Sequence, residues 1–289
     1  VPDGWTFATN PFDVHSFYFI TADNQTVIAT LQSARNVMHL FALPIGGGEG
    51  VQLSSRMASG GNVLSVYVRG DKVVYLADQE VDEKYGLFYV PLSGGDSQKI
   101  SDDAVPLHDW SRIEITPDGE KVIFSASDGI YAIPVAGGAA QRLGGDPYQL
   151  TGWQLSPDSS FAYLMAENTR ANFAVNLATG ESTNYEFGNV CCTFSPDSSR
   201  VLIAGRNQNG GWSVYESPLG GAHFNEISAP NTSIVTDTSG YYLSHLEIQV
   251  SSDSQYAVYQ ATDSNGIGNF YSSALGAGAP AVQLNAYPG

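Results

Sequence analysis

The sequence predicts an all-β protein, specifically a six-bladed β-propeller with four-stranded blades. Two markers, each repeated six times, support this fold class, and no stretch shows a helical period. One marker is an apolar strand that ends in a polar turn with an aspartate; these aspartates are Asp23, Asp71, Asp118, Asp158, Asp197 and Asp253. The other is an aromatic-rich strand that runs into a glycine turn, as in Leu40-Phe41-Ala42-Leu43-Pro44 before Gly46. Four-stranded units of about 40–45 residues, repeated around an axis, are typical of a propeller.

The spacing of the markers divides one domain of 289 residues into blades. The third repeat shows four strands, at 109–116, 120–125, 129–134 and 139–143. The turn Pro117-Asp118-Gly119 suits its position because proline presets φ, aspartate bonds the backbone and glycine accepts a positive φ. A β-sandwich or a parallel solenoid is the alternative, but a sandwich does not repeat in this way. The predicted blades are approximately 13–55, 61–103, 108–146, 148–187, 188–229 and 242–285.

Two segments lie outside this blade pattern. Trp5-Thr6-Phe7, within residues 1–12, reads as a strand. We expect it either to close the ring by latching onto the last blade or to be left over from preceding sequence. The insert at 229–242 is expected to form a loop, because Pro230, Asn231 and Gly240 break regular structure.

The repeated turn phrases resemble a known family. Ser-Pro-Asp-Ser occurs at 156–159 and 195–198, and the pattern continues with a strand and Tyr-x-x-Pro-x-x-Gly-Gly. This is similar to the repeat of TolB-like (WD-like) β-propellers, which also occurs in Tricorn, prolyl oligopeptidase relatives and oligogalacturonate lyases. The resemblance covers about residues 13–284 and implies the fold. It says little about activity, because propellers host many functions.

Composition limits the partners. The chain carries 29 acidic and 12 basic residues, a net charge of −17. Such a surface repels phosphate backbones, so we expect no nucleic acid partner. No apolar run is long enough to cross a bilayer, so no membrane insertion is expected. We expect a monomer in the periplasm or outside the cell.

The aspartate of each repeat sets the register of the first strand, which lines the central channel of a propeller. Odd steps back from it reach an apolar face that should pack between blades: Tyr18, Ile20, Val66, Val68, Ile113, Ile115, Trp153, Leu155, Cys192, Phe194, Ile248 and Val250. Even steps reach a mostly polar face, which we assign to the channel. It includes Phe17, Phe19, Tyr67, Arg69, Glu114, Thr116 and Gln249. Arg112 and Glu114 share this face and can pair if buried there.

The strand starts supply the candidate binding site. The candidate ligand-binding residues are His15, His108, Trp110, Arg112, Glu114, Gln154, Asn189, Cys191, His245 and Glu247. Loops between second and third strands should open on the same face, among them 78–83, 206–209 and 263–265. We expect the acidic run Asp78–Glu83 to be a solvated loop, because it lacks the calcium-loop pattern. A ring of loops is the usual place for a binding site.

We expect recognition of a protein, peptide or glycan, with no catalytic residues and no cofactor. No Gly-x-Ser-x-Gly elbow occurs, and the Ser-Pro-Asp serines belong to repeat turns. The first alternative is a metal-assisted polysaccharide lyase or hydrolase. It would hold a divalent metal with His15, His245 and Glu247, and the resemblance to oligogalacturonate lyases, which hold a metal in such a channel, motivates it. The second alternative is the propeller domain of a larger cell-envelope protein.

The two cysteines are adjacent, Cys191 and Cys192. The alternation directs Cys191 to the channel and Cys192 into the core. Consecutive Cα atoms lie about 3.8 Å apart, which is shorter than ordinary disulfides allow. Two reduced thiols packed as small apolar groups are one interpretation, and a vicinal disulfide in an oxidising compartment is the other.

Overall fold

The structure is a computed structural model that describes residues 5–7, 17–33, 37–144, 150–166, 171–186, 191–207, 211–221, 223–234 and 248–285. All regular elements in these ranges are β-strands. They form six sheets, divided between unit 1 (1–147) and unit 2 (148–289). No described segment is an apolar helix long enough to cross a membrane.

Unit 1 contains sheets 1 to 3, in which the long neighbouring strands run antiparallel. The strands of sheet 1 are β1 (Trp5–Phe7), β2 (Tyr18–Ile20), β3 (Thr26–Ser33), β4 (Met38–Pro44) and β5 (Val51–Gln52). Those of sheet 2 are β6 (Val63–Arg69), β7 (Lys72–Val81), β8 (Lys84–Pro91) and β9 (Gln98–Lys99). Those of sheet 3 are β10 (Ile113–Ile115), β11 (Lys121–Ala126), β12 (Gly129–Pro134) and β13 (Gln141–Gly144).

Unit 2 contains sheets 4 to 6, built in the same way. The strands of sheet 4 are β14 (Leu150–Leu155), β15 (Phe161–Ala166), β16 (Ala171–Asn176) and β17 (Ser182–Glu186). Those of sheet 5 are β18 (Cys191–Phe194), β19 (Arg200–Arg206), β20 (Trp212–Pro218) and β21 (Asn225–Glu226). Those of sheet 6 are β22 (Ser233–Ile234), β23 (Gln249–Val250), β24 (Tyr256–Thr262), β25 (Gly268–Ala274) and β26 (Val282–Gln283).

Each apolar cluster draws on two consecutive sheets, as blades of a propeller do. In unit 1, Ile28 and Leu40 of sheet 1 share a cluster with Val73 and Tyr75 of sheet 2. The other side of sheet 2 shares its cluster with sheet 3, through Val74, Leu76, Ile115 and Phe124. In unit 2, the corresponding clusters join sheet 4 to sheet 5 and sheet 5 to sheet 6. The predicted all-β class is therefore confirmed, with stacked sheets of four or five strands.

A hydroxyl–carboxylate pair closes the turn between the first and second strands in five of the six sheets. In sheet 5, Ser195 Oγ donates to Asp197 Oδ1 at 2.6 Å, and Asp197 Oδ1 accepts the Ser199 N–H at 3.0 Å. The hydroxyl oxygen also accepts the Arg200 N–H at 3.0 Å. The other pairs are Thr21–Asp23, Thr116–Asp118, Ser156–Asp158 and Ser251–Asp253. Sheet 2 instead uses a two-residue hairpin at Gly70-Asp71, flanked by the pair Arg69 and Lys72.

The predicted register holds in most first strands. Ile113, Ile115, Trp153, Cys192 and Ile248 are buried, as expected for the face that packs between sheets.

The register prediction is wrong for β2, where Tyr18 is 76% exposed and Ile20 is 55% exposed. Phe17 and Phe19, which we assigned to the channel, pack instead against the cluster shared with sheet 2. Both alternating sets in this strand are apolar, so the pattern does not reveal which set has a sheet beside it. Within unit 1, sheet 1 has a neighbouring sheet on one face only.

Three boundary predictions also need correction. Strand β1 does not latch onto the last sheet, because it pairs with β3 in sheet 1 through Phe7 and Leu31. The insert at 229–242 is not entirely a loop, because Ser233 and Ile234 form β22 and pair with β24. Strand β10 begins at Ile113 rather than at 109, because the preceding residues form a turn.

Candidate functional site

Trp110 presents an aromatic surface just before β10, which is the first strand of sheet 3. It lies in a turn in which the Ser111 N–H donates to the His108 carbonyl at 3.0 Å. The Trp110 side chain is 57% exposed, although large apolar residues usually lie inside. Its ring stacks on the imidazole of His108, with ring centroids 3.4 Å apart and an interplanar angle of 25°. The stacking fixes the indole in one orientation while one face remains toward solvent.

His108 supports the indole from below. Its side chain is buried, and its Nδ1 lies 3.2 Å from Ser111 Oγ, which also accepts the His108 N–H at 3.1 Å. Its Nε2 is buried and has no hydrogen-bond partner among the described residues. Burial lowers the pKa of His108, although the charge of Asp109 opposes this. The imidazole is therefore neutral at neutral pH, and stacking costs no buried charge.

Arg112 and Glu114 form the predicted pair, with Arg112 Nη2 lying 3.5 Å from Glu114 Oε2. The expectation that this pair is buried is wrong, because the Arg112 side chain is 53% exposed. Backbone bonding explains its position: the Arg112 N–H donates to Ser125 Oγ at 2.9 Å and its carbonyl accepts the Ser125 N–H at 3.0 Å. The side chain is thereby directed outward beside the Trp110 turn. A loose exposed pair of this kind contributes little to stability.

Sequence reasoning missed Tyr85 and Asp109, which belong to the same region. Burial, together with the charges of Glu83 and Asp109, raises the pKa of Tyr85 to about 12. Its hydroxyl donates to Glu83 Oε2 at 3.2 Å. Asp109 could have been found because it lies between two residues already chosen, whereas Tyr85 reaches this region only through the fold.

The acidic run 78–83 is not a solvated loop throughout. Asp78 is buried, and its carboxylate accepts the Asn62 N–H at 2.5 Å and the Glu83 N–H at 3.1 Å. Gln79 is also buried and accepts a hydrogen bond from Tyr75 Oη at 2.6 Å. Most of the run belongs to β7, but Glu80 and Val81 at the end of that strand are exposed, as are Asp82 and Glu83 in the hairpin. Asp78 is therefore a structural residue that joins two chain segments.

Gln154 and Cys192 lie together in unit 2. Gln154 is exposed, and its Oε1 accepts a hydrogen bond from Cys192 Sγ at 3.5 Å. Cys192 is buried beside Tyr163, as the alternation predicted. The backbone of Cys191 lies in β18, but its side chain is outside the described part of the structure. In this structure Cys192 is a thiol, because its Sγ donates to Gln154 Oε1, and a vicinal disulfide in an oxidising compartment stays a prediction.

Four candidate residues lie outside the described residues: His15, Asn189, His245 and Glu247. The predicted metal set consists of three of them, so it stays a prediction. Within the described ranges, no group of three or more histidine, cysteine or acidic residues could hold a metal ion. The structure thus brings together His108, Trp110, Arg112 and Glu114. Gln154 and Cys192 belong to unit 2.

Comparisons with known proteins indicate the fold. No protein-family model matches the sequence, and no curated protein is similar to it. A putative TolB from Agrobacterium tumefaciens is 16% identical over 73% of this chain and 79% of that chain, with a TM-score of 0.41. An oligogalacturonate lyase from Vibrio parahaemolyticus is 15% identical over 95% of this chain and 80% of that chain, with a TM-score of 0.48. A eukaryotic initiation factor is 15% identical over 73% of this chain and 55% of that chain, with a TM-score of 0.51. The solved structures to which the chain is similar thus include a TolB and an oligogalacturonate lyase, both named by the sequence resemblance, while the fold itself is read from the stacked sheets of four or five strands and their repeated turns.

Proposed function

We propose that this chain is a non-catalytic recognition module whose ligand binds at the start of β10, on the surface formed by Trp110, Arg112 and Glu114. The observation that carries the proposal is the exposed indole of Trp110, braced on the buried ring of His108. Rigid aromatic side chains bind with a small loss of conformational entropy and are common in binding hot spots.

The chemistry of this surface suits a protein, peptide or glycan. An indole face packs on apolar or sugar CH groups, and the Arg112 guanidinium offers several donors to carboxylates or carbonyls. Recognition of this kind needs no metal or cofactor. The net charge of −17 disfavours nucleic acid and is compatible with a periplasmic or extracellular location.

We also propose that the six sheets are the blades of a six-bladed β-propeller. The support is the stacking of consecutive sheets within each unit and the common turn in five of the six sheets.

The binding surface can be tested with Trp110→Ala. We expect binding to arrays of peptides and glycans to weaken at least tenfold, with a melting temperature within about 2 °C of the parent, because an exposed side chain contributes little to stability. Tyr256→Ala is the matched control, since Tyr256 is a 50% exposed aromatic in unit 2. If Trp110→Ala binds normally and Asp118→Ala, at the opposite end of β10, loses binding, the ligand binds at the Asp118 end of the strand and the proposed site is wrong.

A further inference from the structure

Unit 2 contains a cleft of about 860 Å³ that is separate from the Trp110 surface. One wall is formed by Asn207, which follows β19, and by Gly211, which precedes β20. The other is the turn between β24 and β25, with Asp263 and Ser264. The floor is the segment 226–233, and Tyr215 also lines the space. The cleft volume falls in the range of about 300–1,000 Å³ that is common for ligand sites.

The walls are held by the scaffold. Asn207 Oδ1 accepts the Gly211 N–H at 3.0 Å, and its Nδ2 donates to Ser213 Oγ at 2.9 Å. Asp263 Oδ1 accepts the N–H groups of Asn265 and Ile267 at 2.9 and 3.0 Å. Because these bonds hold Asn207 and the turn at 263–267 before any ligand arrives, binding would lose little conformational entropy at these residues.

Three polar side chains of the lining, Ser233, Glu226 and Asp263, have a donor or an acceptor atom that these hydrogen bonds do not use. Ser233 Oγ accepts the Trp212 N–H at 3.1 Å, so its hydroxyl hydrogen is still available to donate. Glu226 Oε1 accepts from Ser228 at 3.1 Å, and no described residue bonds its Oε2. Asp263 Oδ2 likewise has no described partner. The cleft therefore offers both donors and acceptors, and sugar hydroxyls need both at once.

The charge of the described lining residues disfavours an anionic ligand. Glu226 and Asp263 are acidic, and the described lining residues include no lysine, arginine or histidine. An anionic ligand would meet two carboxylates and no counter-charge among the described lining residues. Seven of the twelve lining residues carry a neutral hydroxyl or amide side chain without an aromatic ring, which matches a neutral polyhydroxylated ligand better than a compact cation: Asn207, Ser228, Asn231, Thr232, Ser233, Thr262 and Ser264.

We propose that this cleft binds a neutral oligosaccharide. Sugar hydroxyls would donate to Glu226 and Asp263 and accept from Ser233. The site is independent of the surface at Trp110, and either proposal can fail without the other.

The experiment uses the full chain, with cellohexaose, maltohexaose and xylohexaose as neutral probes. Polygalacturonate serves as an acidic probe and spermine as a cationic probe, and calorimetry measures binding. Ser264→Trp should fill the cleft, and Ser264 makes no scaffold hydrogen bond among the described residues. Asn265→Trp is the matched control, because Asn265 belongs to the same turn but does not line the cleft. Glu226→Gln removes one acceptor charge without a change of shape.

We expect at least one neutral probe to bind. Ser264→Trp should weaken it at least tenfold and Glu226→Gln about three- to tenfold, while Asn265→Trp should leave it unchanged. The proposal is overturned if no neutral probe binds, if only spermine or polygalacturonate binds, or if Ser264→Trp binds like Asn265→Trp. Circular dichroism establishes that each variant is folded, and if Ser264→Trp does not fold, the result with Glu226→Gln decides.

Discussion

Replacing Glu216 with glutamine should loosen the contact between sheets 5 and 6. Glu216 lies in β20 and is almost completely buried. One of its carboxylate oxygens, Oε2, lies 3.2 Å from Arg200 Nη1. Both oxygens lie within reach of the Gly276 N–H, just beyond β25, at 2.9 and 3.1 Å. The carboxylate therefore pairs with Arg200 in its own sheet and accepts the backbone N–H of Gly276, just beyond the end of β25 in sheet 6.

The cost of Glu216→Gln follows from these contacts. A glutamine side chain keeps one acceptor oxygen but has an amide N–H donor in place of the other. That donor would face either the Arg200 guanidinium or the Gly276 N–H, which are themselves donors. Removing one partner of a buried ion pair costs about 3–5 kcal/mol, because the other charge is left uncompensated. The Arg200 side chain is 26% exposed, so water offsets part of that cost. We therefore expect the lower end, about 3 kcal/mol.

Calorimetry translates this value into a shift of the melting temperature. The unfolding entropy is about 2.1 cal/mol/K per residue, so 3 kcal/mol lowers the melting temperature by about 5 °C if all 289 residues unfold together. If residues 148–289 unfold by themselves, the shift is about 10 °C. The same variant thus reports both the strength of the contact and the size of the cooperative unit.

Glu120→Gln provides the control. Glu120 pairs with Lys72 at 3.3 Å, but its side chain is 72% exposed. Exposed pairs contribute about 0–1 kcal/mol, so the melting temperature should change by less than about 2 °C. If Glu216→Gln shifts the melting temperature no more than Glu120→Gln does, the buried contact does not hold the two sheets as described.

Gly276→Ala tests the same contact from the other side. A Cβ on Gly276 would overlap Arg200 Nη2, and the residue has a φ of +73°. Gly278 has a φ of +59° and open space where a Cβ would lie, so Gly278→Ala isolates the backbone cost of about 1–2 kcal/mol. Urea unfolding should show a larger loss of stability for Gly276→Ala than for Gly278→Ala. Equal losses would mean that Arg200 moves aside without cost.

Two further predictions concern titration. Trp110→Ala should raise the pKa of His108 toward its ordinary value, because burial lowers that pKa in the parent protein. NMR of the imidazole would measure the change. An unchanged pKa would mean that the indole does not shield the His108 ring from solvent. Ser195→Ala should raise the pKa of Asp197 from about 2, because the Ser195 hydroxyl is its main stabilising donor. Since the folded pKa lies below the unfolded one, this turn adds stability above pH 3.8 that is lost as the pH falls toward 2. Between pH 2 and 5, the melting temperature should therefore change less with pH in Ser195→Ala than in the parent protein. The same pH dependence in both proteins would contradict the role of Ser195.

The repeated turns were predictable because their chemistry is local. Thr116 and Asp118 are two residues apart, and their hydrogen bond of 2.6 Å depends on no distant contact. Residue types at that spacing therefore located the turns, and with them the first strands. The exposure of Tyr18 was not predictable in the same way, because it depends on which face of sheet 1 has a neighbouring sheet.

The candidate site shows the same division. Trp110 and Arg112 were identified from their places near a strand start, which depend on the local register. The stacking of His108 under Trp110 depends on the turn that ends at Ser111, and no periodic pattern reports such a turn. The cleft of unit 2 was foreseen only in that its two loops should open together. Its floor includes Ser233, from an insert that we expected to form a loop.

The two ends of the sheets in unit 2 have different roles. At one end, the turns between first and second strands are joined from sheet to sheet: Ser198 Oγ accepts the Asp158 N–H at 3.0 Å, and Ser254 Oγ accepts the Asp197 N–H at 3.1 Å. Both serines are buried and have a positive φ, 58° and 59°, so the conformation is maintained by this bond and by packing.

In an antiparallel meander, the turns between second and third strands lie at the opposite end, where Asn207 and Asp263 line the cleft. Joining the sheets at one end constrains their spacing, while the loops at the other end can vary without disturbing that spacing. A Ser198→Gly substitution would relieve the strained φ but remove the bond to Asp158, so its effect on stability measures which of the two dominates. Saccharide binding in the cleft should be the same in that variant, and a large loss of binding would mean that the two ends are coupled.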